Sequence, residues 1–362
     1  MYFCQPLLLI CTILILAVHT QCKKDLKGPG RSSCCFSDFR QGYCNFSEVR
    51  VIDIPQECTS LVFNGAFVGS TFQVDNADLQ INYTVLDELL KSEIDVFIYY
   101  GPSVESNWTL MFPNECSDGG KNLSKAMEGL NTFLTDHKGL AGVILTAIQS
   151  EPEESAFPTY SENFKKYVDV LRKKFPELII GLDIFGGVLM NQYMDPKFTW
   201  LNISVIDYAI DFYAVTTEYF NLCTADFRNT GVAPLNGSNT NHTLDKLKDV
   251  LQQACIPTEK TYFTFILNPD TPDDTLTMCD VNNEKVCTQP QVACDWCVET
   301  LLSYNEKGQF AHTNGAGFIA RYIDFDDPNN CCNCEKPFPT FNAILDGFNG
   351  VPTKPCDLFD LP

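Results

Sequence analysis

The amino-acid sequence predicts an α/β protein built as a single-domain (β/α)8 TIM barrel. Eight short, near-continuously apolar runs are separated mostly by segments with helical spacing of apolar residues, as expected when both faces of a parallel sheet are buried. A length of 362 residues, 45% of them hydrophobic, suits one barrel with a large core. No glycine-rich dinucleotide turn follows the first run, which argues against an open, doubly wound sheet.

The chain opens on an apolar run, PLLLICTILILAV, from Pro6 to Val18. At about 13 residues it is shorter than the roughly 20 needed to span a bilayer. Residues 1–21 therefore read as a secretory signal, although the segment before the run lacks Lys and Arg, and 22–362 as the barrel. An uncleaved anchor is the alternative, and no later run reaches spanning length. A first strand is expected over Ser33–Ser37, a second over Thr59–Val68 and a third over Asp95–Tyr100, the last preceded by a helix in which Val85, Leu86, Leu89 and Leu90 share a face. A helix from Asn122 to His137 leads into a fourth strand, GVILTAI. Another, from Tyr160 to Lys174, places Phe164, Tyr167, Val168 and Leu171 on one side and ends before Pro176 and a fifth strand, ELIIGLDI. The sixth strand is expected over Val205–Val215, followed by a helix carrying Leu244, Leu247, Val250 and Leu251. The seventh is TYFTFIL. A Cys-rich insert at about 268–297 reads as irregular up to Cys287. A helix near Pro290–Asn305 feeds the eighth strand, GAGFIARYIDF, and FPTFNAILDGF closes the chain as a helix.

The formal charge of −21 and the lack of any basic run longer than three residues argue against nucleic-acid and polyphosphate partners. Of 18 cysteines, Cys4 and Cys11 lie in the leader, which leaves 16, an even number suited to disulfides in an oxidising compartment. N-x-(S/T) sequons begin at Asn45, Asn82, Asn107, Asn122, Asn202, Asn236 and Asn241, a density that makes sense for a glycosylated, extracellular chain. His137, His242 and His312 show no metal-ligand spacing, and the C-x-x-C of Cys294 and Cys297 is read as disulfide chemistry rather than zinc. No metal and no cofactor are expected.

The stretch from Gly139 to Glu154, GLAGVILTAIQSEPEE, resembles in frame the signature of glycoside hydrolase family 18, the chitinase family, G-(F/Y)-D-G-(I/V)-D-(I/L)-D-W-E. Gly139 and Gly142 match its glycines, and Val143 and Leu145 its aliphatic positions. Ala141, Ile144 and Thr146 fall where the family has aspartates, Ala147 replaces the tryptophan and Ile148 the general acid. The flanks carry the resemblance further. Asn163–Ile184 is similar to the family's helix and following strand, and CCFSDF and QECTSLVFNGAF to its first two strands, which by resemblance pairs Cys34 with Cys58. Gly317–Asp327 is similar to G-x-x-x-W-(S/T)-(L/I)-D-x-D-D, with Arg321 in place of the tryptophan that floors the sugar subsite. Asp211–Tyr219 is similar to D-(F/Y)-x-N-(V/L)-M-T-Y-D, with Glu218 in place of the tyrosine that orients the acetamido group, and Tyr99–Ser103 stands at the family's S-x-G-G turn. The resemblance covers roughly Ser33–Gly350. The family's α+β insertion has no room after the seventh strand, where Cys279, Cys287, Cys294 and Cys297 lie instead.

The family's reaction, as the resemblance implies, is substrate-assisted: the sugar's acetamido oxygen attacks while one glutamic acid protonates the leaving oxygen. Ile148 has no proton to give. The resemblance therefore implies a chitinase-like pseudoenzyme that binds a chitin-type or other glycan, or a cell-surface or secreted protein. A divergent glycosidase with a relocated acid, Glu151 or Glu218, is the rival, and an interaction or growth-regulating protein without a sugar site is a third reading. Candidates for the ligand cleft are Tyr99, Asp183, Tyr213, Glu218 and Arg321, although strand alternation means that Tyr99, Tyr213 and Tyr322 cannot all point inward. Asp324, Asp326 and Asp327 are expected to serve structure.

Overall fold

The computed structural model describes residues 27–37, 44, 49–75, 83–102, 108–112, 120–148, 159–194, 201–218, 220–228, 230–237, 240–277 and 279–356. Its strands are β1 (Ser32–Phe36), β2 (Ser60–Val68), β3 (Val74–Asp75), β4 (Asp95–Pro102), β5 (Leu140–Leu145), β6 (Ile179–Phe185), β7 (Phe212–Thr216), β8 (Thr261–Ile266) and β9 (Gly317–Arg321). Its helices are α1 (Tyr83–Leu89), α2 (Trp108–Met111), α3 (Lys121–Asp136), α4 (Tyr160–Lys174), α5 (Gly186–Met194), α6 (Ile203–Ile206), α7 (Leu244–Gln253), α8 (Asn283–Thr288), α9 (Leu301–Asn314) and α10 (Pro339–Phe348).

Eight of the strands run parallel in the order β1-β9-β8-β7-β6-β5-β4-β2, and a further β1–β2 pairing closes the ring. This is the expected (β/α)8 barrel. The two-residue β3 is an unexpected addition, paired antiparallel to the end of β2 through Val68 and Val74. Alternation along each strand sorts the core into two layers. Leu182, Ile184, Tyr213 and Val215 face outward and pack with the helices, while Phe97, Tyr99, Ile144, Phe212, Ala214 and Tyr262 fill the interior. Phe97 and Phe212 meet edge to face across the axis, with centroids 5.7 Å apart and planes at 84°. Two glycines make room for them. A Cβ on Gly142 would lie 2.8 Å from the Phe97 ring, and one on Gly181 2.4 Å from Phe212 Cζ.

The structure corrects three of the expected elements. The fourth strand stops at Leu145, because Ala147 adopts a left-handed backbone (φ 59°) that no strand accommodates. The sixth begins at Phe212 rather than Val205. Asn202 caps a short helix by accepting the Ser204 N–H at 3.1 Å, and the Asp207 carboxylate receives Lys260 and Tyr213, each at 2.9 Å, so the apolar VIDYA segment folds as helical turns. The helix expected near Pro290–Asn305 begins at Leu301, where Thr300 accepts the Ser303 N–H. The preceding stretch instead buries Trp296 against Val281, Val286 and Ala293, a small core belonging to the Cys-rich insert, which itself contains α8.

Cys34–Cys58 is formed, and four more disulfides join Cys44–Cys279, Cys223–Cys297, Cys287–Cys332 and Cys334–Cys356. Three of these four tie the Cys-rich insert to its surroundings. Five disulfides are what an oxidising compartment permits. Among the described residues no helix is long and apolar enough to cross a membrane.

Candidate functional site

The carboxyl ends of the strands bring together Tyr99 from β4, Thr146 just beyond β5, Asp183 from β6, Glu218 just beyond β7, and Arg321 from β9. The Arg321 guanidinium lies 5.5 Å from the centre of the Tyr99 ring and 5.0 Å from that of Tyr322, and its Nη1 stands 2.7 Å from Glu218 Oε2. The side chains of this ion pair are only 12% and 15% exposed. Glu218 Oε1 also accepts a hydrogen bond from the Tyr322 hydroxyl at 3.2 Å. Burial works against the Arg321 cation, but Glu218 and the neighbouring tyrosines outweigh it and hold the pKa above its ordinary value. Both carboxylate oxygens of Glu218 are thus engaged, Oε2 by the Arg321 cation and Oε1 by the Tyr322 hydroxyl.

Deeper in the barrel, Asp183 is 1% exposed. Thr146 donates to its Oδ2 at 2.7 Å, while Oδ1 has no hydrogen-bond partner among the described residues. Its carboxyl is pushed up to about 6, chiefly by burial, with Arg321 and the Thr146 hydrogen bond opposing and Glu218 adding to the rise. The Tyr99 hydroxyl and Thr264 Oγ1 are likewise buried without partners among the described residues. Beside them sits the buried Cys35 thiol, which sequence reading passes over because β1 carries two adjacent cysteines and alternation alone separates them. Cys34 faces out into its disulfide and Cys35 faces in. Desolvation raises the Cys35 thiol to about 12, so it is an inert, protonated group.

Four of the five cleft candidates therefore converge, and Tyr213 does not. Its side chain faces the helix layer and donates to Asp207 at 2.9 Å. Ile144 packs in the barrel interior. Ile148, beyond the left-handed Ala147, is buried in the layer between sheet and helices, and its carbonyl accepts the Tyr160 hydroxyl at 3.0 Å. Glu151 lies outside the described residues, as do Asn45, Asn82 and Asn107. Of the remaining sequons, Asn202, Asn236 and Asn241 are exposed, and Asn122 is half-buried in the first turn of α3.

The acidic run after β9 is absorbed by structure. Asp324 accepts from the Ser37 N–H and hydroxyl at 3.0 and 2.6 Å. Asp326 accepts from the Thr340 and Phe341 N–H groups at the start of α10 and from Asn283, and burial pushes its carboxyl up to about 7. Asp327 accepts the backbone N–H groups of Cys331 and Cys332. Ligand-type atoms of Glu284, Asp327 and Cys331 lie within 4.8 Å of one another, the one such cluster among the described residues, but those backbone groups already engage both Asp327 oxygens.

No protein-family model matches the sequence, and a sequence search of curated proteins finds no match. Solved structures do match. The chain has the chitinase fold. It is similar to the second catalytic domain of the Ostrinia furnacalis Group II chitinase, with a TM-score of 0.70 at 14% identity over 92% of this chain and 100% of that one. It is similar to human YKL-39, described as a pseudo-chitinase with retained chitooligosaccharide binding, with a TM-score of 0.65 at 14% identity over 88% of this chain and all of that one. It is also similar to an immunomodulatory active chitinase from Trichuris suis, with a TM-score of 0.64 at 12% identity over 88% of this chain and 100% of that one. At such identities the likeness establishes the chitinase fold and leaves the chemistry to the residues themselves.

Proposed function

We propose that the protein is a secreted, chitinase-like pseudoenzyme that binds a glycan or a protein partner over the carboxyl-end bowl of its barrel and does not hydrolyse it. The observation that carries this reading is the Arg321–Glu218 ion pair at 2.7 Å, laid over Tyr99. It fills the place where the family, by the resemblance above, has a tryptophan floor and a tyrosine. A sugar ring seated at that depth would have to displace a largely buried charge pair, so a ligand rests above it, at the rim. The vacancy of acids supports the same reading. Ile144 and Thr146 replace aspartates, and Ile148 replaces the proton donor.

Binding without hydrolysis has precedent among the similar structures. YKL-39 is described as a pseudo-chitinase that retains chitooligosaccharide binding. A glutamate-to-leucine variant of the Ostrinia furnacalis domain, also similar to this chain, was crystallised with an N-acetylglucosamine pentamer.

The test is incubation with fluorogenic chito-oligosaccharides from pH 4 to 8, alongside a glycan array. Absence of release together with retention of at least one glycan supports a lectin-like role. A blank array directs the search to a protein partner, consistent with Tyr99 and Tyr322 both being covered rather than offered as a stacking platform.

One observation favours a second reading, a divergent hydrolase of N-acetylglucosamine-containing glycans. Asp183, held at about 6, is a carboxyl that is partly protonated near neutrality. Turnover that falls about 10²- to 10⁴-fold in Asp183→Asn would establish it as the relocated acid and end the pseudoenzyme reading.

A further inference from the structure

Beside the bowl, off the barrel axis, lies a cavity of about 250 Å³ between the ends of β7 and β8 and the Cys-rich insert. Val232, Ile266, Leu276 and Val281 give it apolar walls. Most of the donors that line it are already spent: Lys307 on Glu299, Tyr322 on Glu218, Tyr304 on the Ile266 carbonyl, Thr217 on the Thr264 carbonyl and Thr277 on Asp280. Asn268 Oδ1 is buried there without a hydrogen-bond partner among the described residues, while its amide donates to the Val281 carbonyl. Asp270 accepts the Thr271 N–H through Oδ1 at 2.8 Å, and its Oδ2 has no partner among the described residues. Two other carboxylates border the cavity, but each is already neutralised: Glu218 by Arg321, and the buried Glu299 by Lys307.

Apart from the Thr271 hydroxyl, the remaining groups are one uncompensated carboxylate and one unused amide oxygen two residues away. Such a pair repels carboxylates, phosphates and sulfates. A neutral hydroxyl would satisfy one acceptor and leave the partly desolvated charge unpaired, whereas an ammonium donates to both oxygens and cancels the charge. The apolar walls suit a compact body attached to that ammonium.

The site is held rigid. Asp270 and Cys297 exchange two backbone hydrogen bonds, 3.4 and 2.8 Å long, and Cys297 is in turn tied to Cys223 by a disulfide. Little is then lost in ordering it around a ligand.

We propose that this off-axis cavity binds a small protonated amine, a monosaccharide-sized amino sugar or an arylalkyl amine, with Asn268 Oδ1 and the Asp270 carboxylate receiving the ammonium. Burial, aided by Glu218, already raises the Asp270 carboxyl above its ordinary value, a cost that a bound ammonium relieves.

The experiment is calorimetric titration of the full glycosylated chain with matched pairs: glucosamine against glucose, and phenethylammonium against 2-phenylethanol. Within at least one pair the amine is expected to bind about tenfold or more tightly than its neutral match. Asp270→Asn, which keeps the acceptor for Thr271, should erase that preference. Leu276→Trp, which fills the cavity, should abolish binding of both members. Equal affinities within both pairs, no saturation at millimolar concentrations, or an undiminished preference in Asp270→Asn would overturn the assignment. Because Asp270→Asn leaves the Arg321–Glu218 pair and Tyr99 untouched, oligosaccharide or partner binding at the bowl should be unchanged by it, so the two readings fail separately.

Discussion

The two halves of the barrel interior obey different rules. Toward the amino ends of the strands, Phe97, Phe212 and Tyr262 interlock as rings with no ionic group among them. Toward the carboxyl ends the same barrel holds Asp183, Arg321, Tyr99 and Thr264, with several buried polar atoms unpaired. Close packing explains the first half completely. The second costs stability that apolar residues would not, so its polar character needs a reason outside folding.

The contrast can be broken from either side. Phe212→Ala should give the largest loss, about 3–5 kcal/mol by denaturant titration, because it empties the centre of the ring cluster. Arg321→Met should cost about 3 kcal/mol, since it strands a largely buried Glu218 carboxylate. Adding Glu218→Leu should then restore stability to within about 1 kcal/mol of the native protein. If the double variant stays as unstable as the single one, the ion pair is a structural requirement and not a replaceable polar feature.

Asp183 sharpens the comparison through pH. Its folded pKa of about 6 lies above the usual 3.8, so the folded state holds its proton more tightly than the unfolded chain. Its contribution is intact below the unfolded value and is lost as pH rises through about 6. The shift corresponds to roughly 3 kcal/mol at neutral pH. Asp183→Asn should therefore be more stable than the native protein by up to about that amount at pH 7 and indistinguishable at pH 3.5, in paired denaturation curves. A difference independent of pH would refute the buried-carboxyl account. The smallest effect belongs to the rim. Asp295→Asn removes the exposed Arg228 ion pair, 2.7 Å long, and should shift stability by less than about 0.5 kcal/mol.

What could be read in the sequence follows the same division. Hydrophobic runs locate all eight barrel strands, because burial on both faces leaves an unmistakable apolar signature, and Cys34–Cys58 follows from resemblance. The errors arise where short polar groups overrule hydrophobicity. Asn202 and Asp207 turn VIDYA into helical turns, and the Cys-rich insert uses Ala293 and Trp296 for its own small core. Among site residues, strand parity brings Tyr99, Asp183 and Arg321 inward and sends Tyr213 out. Neither the backbone reversal at Ala147, which turns Ile148 away from the bowl, nor the pairing of Glu218 with Arg321, 103 positions apart, leaves a local trace.

The pairing of β1 with β9 joins the first strand to the last, and the Cys44–Cys279 bond spans 235 residues. During vectorial synthesis at about 5–20 residues per second, the Cys44 thiol waits on the order of tens of seconds for its partner to emerge, with Cys34, Cys35 and Cys58 closer to hand. One edge of β1 stays unpaired for longer still, until Arg321 has been made. The last strand to be translated is thus the one that completes the ring.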